Sequence, residues 1–157
     1  MSNSKLPALD PTLALVMMRV ALGALFVSTF FENLGKGLYT ADGYAGLIRS
    51  YVKYGHAPIA WKQVMEFNAA HAAIAAPLQA VLEIGVGVAL ILGFLSRPAA
   101  FVAFGFLMGL WVSEWGLSWI WELLIPMVVA AALMLGPSGQ RAAVDVALVR
   151  RWPQLPI

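Results

Sequence analysis

Glu83 interrupts the apolar run PLQAVLEIGVGVALILGFLSRP, Pro77 to Pro98, and Arg19 interrupts a second run from Thr12 to Phe31. A charge at the centre of a bilayer costs about 3 kcal/mol even on the mildest insertion scale, so each must face protein or water. A carboxylate in such a place can accept a proton or hydrogen-bond a polar head group. A guanidinium can pair with it or stabilise negative charge developing beside it. Glu83 and Arg19 are therefore the candidate catalytic residues.

Other residues set the choice of chemistry around them. Glu32, Glu114 and Glu122 each fall near the end of an apolar run, within a turn of water. Trp111, Trp115, Trp119 and Trp121 crowd one short stretch. They read as an interfacial aromatic belt or as a wall for a flat ring. On the second reading Trp115, Trp121 and Glu122 are the cofactor-binding candidates. His56 and His71 lie outside the apolar runs, which argues against a haem held between two histidines. The chain has no cysteine, so disulfides, zinc–thiolate sites and covalent haem attachment are excluded. No metal or nucleotide site is expected.

The elements that must position these groups are membrane helices. Of 157 residues, 61% are hydrophobic and 11% charged, where a soluble domain carries about 25% charged. Such a chain cannot cover itself with water. Spans are expected at about 12–31, 77–95, 99–117 and 119–136, each close to the ~20 residues that cross ~30 Å of hydrocarbon. Asp10-Pro11 reads as the start of the first. Ser96-Arg97-Pro98 turns the second directly into the third, and Pro126 is expected to kink the fourth.

Between spans one and two, residues 38–76 are too polar to cross. Asp42 is expected to cap a helix carrying Tyr44, Leu47, Ile48, Tyr51 and Val52 on one face. Gly55 ends it, and Pro58 starts another with Trp61, Val64, Met65 and Asn68 on one side. Both read as amphipathic helices on the membrane face or capping the bundle. The tail, 138–157, is amphipathic and then basic. The expected fold is all-α: an integral membrane four-helix bundle with extracytoplasmic amphipathic helices, in one domain, 1–157.

Four spans place both termini on one side. Arg97 in a short turn and the basic tail favour the cytoplasm for that side. The N-terminus lacks a signal-peptide cleavage pattern. By depth, Glu83 comes ~9 Å in from one face and Arg19 ~10 Å from the other, leaving roughly 10 Å along the normal. A pair between them is feasible, and would either hold the spans in register or form part of a polar pocket. Gly105 and Gly109 make a GxxxG, read as a close helix–helix contact. The small net charge, +2, and scattered basic residues give no sign of a nucleic-acid partner.

The chain resembles the DoxX family, which includes the DoxD-type small subunit of thiosulfate:quinone oxidoreductase. The resemblance rests on RVALGALF (Arg19 to Phe26), on LEIGVGVALILGFLSRPAA (Leu82 to Ala100), on Trp121-Glu122 and on GPSGQRAAVD (Gly136 to Asp145). It departs at Glu32-Asn33, where the family more often has a small residue and then lysine. The family-like polar residues here are Arg19, Glu83, Arg97 and Glu122. The resemblance implies four membrane helices in a bacterial or archaeal cytoplasmic membrane and association with a redox complex that delivers electrons to quinone. Without cysteine, any sulfur chemistry would sit on a partner subunit. Two functions follow as expectations: a quinone-facing subunit of an oxidoreductase, or a non-catalytic accessory subunit of a larger respiratory or photosynthetic complex. A transporter is disfavoured by the absence of internal repeats.

Overall fold

The computed structural model describes residues 11–136 and 143–151. Lys5, Asp10 and Arg141, with most of the basic tail, lie outside them. Every regular element among the described residues is helical: α1 (Pro11–Gly35), α2 (Ala41–Tyr54), α3 (Ile59–Ala70), α4 (Ala72–Leu92), α5 (Ser96–Ser113), α6 (Ile120–Leu135) and α7 (Val144–Arg151). Three of them, α1, α4 and α5, are long and apolar enough to cross a membrane. α6 is apolar but only 16 residues long, ~24 Å at 1.5 Å per residue.

Burial is inverted relative to a soluble protein. Arg19 and Glu83 are each 1% exposed, whereas Val81 is 67% and Ile74 70% exposed. Water would reverse that order; lipid around the helices explains it, since only the polar side chains then need protein partners. The chain is a multi-pass membrane protein. Its main core joins α1, α4, α5 and α6 through Leu22, Phe26, Leu90, Ala103, Leu107 and Leu133. Most of these are of moderate or small size, which lets the helices approach.

α1 and α4 approach each other closely through paired glycines. A methyl group added at Gly23 would lie 2.8 Å from the Gly87 carbonyl oxygen, and one at Gly87 would lie 2.8 Å from the Val27 side chain. Gly105 and Gly109, expected to make such a contact, do not: a methyl at Gly105 meets nothing within 4 Å, and one at Gly109 comes only to 3.7 Å from Trp61. A GxxxG pattern signals close packing only where the bare face meets a neighbouring helix backbone, and on α5 that face meets open space at Gly105 and only the Trp61 ring at Gly109.

α2 and α3 fold back as a pair onto α4 and α5. A second small core of Tyr44, Ala45, Ala69, Ala72 and Ala76 seats them. The N-cap of α2 is Thr40, whose Oγ1 accepts from the Gly43 amide at 3.1 Å, and not Asp42, which falls in the first turn. Lys62 of α3 donates to the Val52 and Gly55 carbonyls at 2.8 and 2.9 Å. That satisfies the bare C-terminal end of α2 and favours its negative pole. α4 begins at Ala72, five residues ahead of the expected start, so Pro77 lies within it.

Candidate functional site

Glu83 sits on the face of α4 turned to α1. Three neutral donors converge on its carboxylate. Gln79, one turn earlier on α4, donates its amide to Oε1 at 2.8 Å. Asn33, near the end of α1, donates to Oε2 at 3.1 Å. The Tyr39 hydroxyl, in the turn after α1, also donates to Oε2. An ionised carboxylate has lone pairs for all three. Among the described residues no cation bonds to it.

Tyr39 is fixed by stacking on Phe30, ring centroids 5.3 Å apart. Burial, together with the hydrogen bond to Glu83 and its charge, holds the Tyr39 phenol above its ordinary pKa. It remains a proton donor at physiological pH. Beside this cluster Glu83, Thr29, Phe106, Leu110 and Leu123 line a small cavity of about 80 Å³. An apolar hollow bounded by one carboxylate can present that carboxylate to a neutral polar atom of a ligand, or hold a proton in transit.

Arg19 lies elsewhere. Its guanidinium packs against Gly93, where an added methyl would come within 2.5 Å of Nη1. Gly93 is ten positions beyond Glu83 on α4, ~15 Å along the axis. The feasible Arg19–Glu83 pair is therefore not formed: antiparallel packing of α1 on α4 places Arg19 opposite the C-terminal end of α4 and Asn33 opposite Glu83. The charge that reaches Arg19 is that of Asp145, at the start of α7.

Asp145 organises that end of the molecule. α4 closes with Gly93 at φ 68°, the Gly93 amide bonding Leu90 and the Phe94 amide bonding Ala89, a Schellman stop. Two residues on, Leu95 also takes a left-handed φ of 48°, strained for a residue with a side chain. The Asp145 carboxylate accepts from the Leu95 amide at 2.6 Å and the Ser96 amide at 2.8 Å. Its own amide donates to the Gly93 carbonyl at 2.9 Å. α5 thus receives its N-terminal cap from a different helix, with the carboxylate at the positive pole. Arg97 adds a bond from Nε to the Gly136 carbonyl at 3.1 Å.

The remaining candidates stand apart from Glu83. Trp115 is exposed and stacks on Trp111 with ring centroids 5.7 Å apart. Its carbonyl accepts from the His56 amide at 2.7 Å. Trp121 and Glu122 are exposed on the first turn of α6, and none of the three lines the cavity beside Glu83. Glu114 is taken by Tyr51, whose hydroxyl donates to it at 2.6 Å. Exposed Glu32 pairs with Lys36 at 2.5 Å. The ring of His71 bonds the Phe67 carbonyl at 2.8 Å.

Sequence reasoning missed Gln79, Asn33 and Tyr39 as partners of Glu83. Gln79 carried a signal, since i and i+4 share a helix face. Tyr39 carried none, because only the turn after α1 brings it back.

The family model described as DoxX matches residues 14–115. That segment holds Arg19, Asn33, Tyr39, Gln79 and Glu83, and ends before Trp121, Glu122 and residues 136–145. No curated protein and no solved structure matches the chain. On the strength of that match, which spans most of its length, the chain belongs to the DoxX family.

Proposed function

We propose that this protein is an integral membrane subunit of a quinone-linked oxidoreductase complex, and that Glu83 faces the quinone head group. The observation that carries the reading is a carboxylate 1% exposed within an apolar helix, held by neutral donors and bordering a cavity. A quinone site needs a few polar groups in an apolar cleft. Tyr39 is the group through which a proton on Glu83 would exchange, Gln79 and Asn33 hold the carboxylate in place, and Phe26 and Phe106 are the rings that line the cavity. Arg19, at the opposite end, anchors the α4–α5 turn in this reading and takes no part at the head group.

In the same proposal all four apolar helices cross a bacterial or archaeal cytoplasmic membrane as a bundle. α2 and α3 lie on the outer side and both termini in the cytoplasm. α6 is short for the crossing, and Trp119 and Trp121 at its head would extend it into the interface. The electron donor and any metal or haem would belong to partner subunits.

A second reading has its own support. All of Glu83's donors are side chains of this chain, so the carboxylate also serves to tie α1, the following turn and α4 together. That suits a non-catalytic accessory subunit of a larger membrane complex. Mild-detergent purification from the native membrane separates the two. A quinone and a redox protein copurifying with the chain is the expected result; a complex with neither would favour the accessory role.

A further inference from the structure

A second, larger hollow lies between the α2–α3 pair and the α4–α5 hairpin. Its volume is about 230 Å³, against about 150 Å³ for an apolar cavity that admits benzene. One substituted six-membered ring fits. Tyr51, Trp61 and Phe106 give it aromatic walls, and two of these are fixed. Tyr51 is held by Glu114. The Trp61 Nε1 donates at 2.9 Å to the Ser113 hydroxyl, which donates at 2.8 Å to the Gly109 carbonyl.

The polar groups of the lining are neutral, and no charged side chain takes part. The Asn68 carboxamide makes no hydrogen bond to any described residue. Gln79 spends its amide nitrogen on Glu83 and keeps its carbonyl oxygen for another donor. A charged ligand would find nothing to offset its desolvation here.

The floor is the bare face of α5. Gly105 is exposed, and on its side of the helix, four residues before and three after, stand exposed Phe101 and Met108. The hollow therefore opens across Gly105 toward an apolar, lipid-facing surface. We propose that it binds the ring of a neutral amphiphile arriving from the bilayer. The ring lies between Trp61 and Phe106, an oxygen of it bonds the Asn68 carboxamide, a ring hydroxyl where the ligand carries one (a phenol or quinol) donates to the Gln79 carbonyl, and its alkyl chain leaves over Gly105. This deepens the reading above: the hollow does not itself include Glu83 but reaches it through Gln79, which lines the hollow and bonds the carboxylate, and the proposal rests on that reading only for the ring's being a quinone.

The full-length protein in lipid nanodiscs is titrated with two probes, a benzoquinone bearing a decyl chain and 4-decylphenol, against empty nanodiscs. Saturable binding of both is expected. It should weaken tenfold or more in Gly105→Leu, whose first side-chain carbon meets nothing within 4 Å and whose remainder takes up space at the floor of the hollow, and in Asn68→Leu. Gly85→Leu is the control, since an added Cβ there also meets nothing within 4 Å but lies outside this lining. Binding of the phenol alone, dependent on Gly105, would uphold the seat and remove the quinone reading. Binding insensitive to Gly105→Leu, or no binding of either probe, would overturn the proposal. Quinone reduction that still depends on Glu83 would in that case leave the reading above intact.

Discussion

The hydroxyl of Tyr39 donates to the carboxylate of Glu83, so a residue of the turn after α1 closes over a charge in the middle of α4. The bond joins positions 44 apart and, with Asn33, clamps the end of α1 onto α4. A hydrogen bond to a charged group is worth about 1.5–3 kcal/mol when its loss leaves the charge buried. Tyr39→Phe should therefore lower the melting temperature clearly, while Tyr54→Phe, on a residue 61% exposed, should not. Equal melting of the two variants would show that the Tyr39 bond contributes nothing.

Asp145 gives a second prediction. Asp145→Ala removes the cap of α5 and leaves the left-handed Leu95 unsupported, at a cost of about 1–2 kcal/mol for the cap alone. Proteolysis at the 93–96 turn should accelerate in the variant. An unchanged digestion rate would mean the α4–α5 hairpin holds without α7.

The glycines separate by what they face. Gly23→Ala forces α1 off α4 and should destabilise by about 1–3 kcal/mol, the usual cost of overpacking. Gly105→Ala meets open space and should be neutral or stabilising by up to ~1 kcal/mol, as alanine is the better helix former. Thermal melting in one detergent compares them directly. Reversal of that order would contradict the α1–α4 contact.

Alkaline pH should loosen the α2–α3 pair. Burial, then the hydrogen bond to Glu114 and its charge, raises the Tyr51 phenol above its usual value, and Tyr39 behaves alike beside Glu83. A raised folded-state pKa means stability fully present below the unfolded value, about 10, and lost as pH rises through the folded one. The melting temperature should fall above about pH 10, and less steeply in Tyr51→Phe. A variant with the wild-type alkaline slope would remove Tyr51 from the account.

The sequence was most readable where one physical constraint acted alone. Apolar length placed α1, α4 and α5, and the buried charges Arg19 and Glu83 stood out because lipid tolerates neither without protein around it. Helical spacing put Trp61, Val64, Met65 and Asn68 on one face of α3, and all four line the hollow between the α2–α3 pair and the α4–α5 hairpin. What could not be read depended on register between helices. The pairing of Arg19 with Glu83 looked feasible from depth alone, but the Gly23–Gly87 crossing sets a register that sends Arg19 to Asp145. The same register brought Asn33 to Glu83. Gly105 and Gly109 carried a packing motif whose meaning turned on which face met a neighbour.

The central claim is that Glu83 acts on a quinone head group, and quinone reduction by the assembled native complex carrying Glu83→Gln tests it most directly. Glutamine keeps the volume and accepts hydrogen bonds but cannot carry the charge or the exchangeable acid proton. With subunit content unchanged, turnover should fall at least tenfold and quinone should remain bound. Wild-type turnover in that intact complex would contradict the claim and leave Glu83 as the tie between α1 and α4.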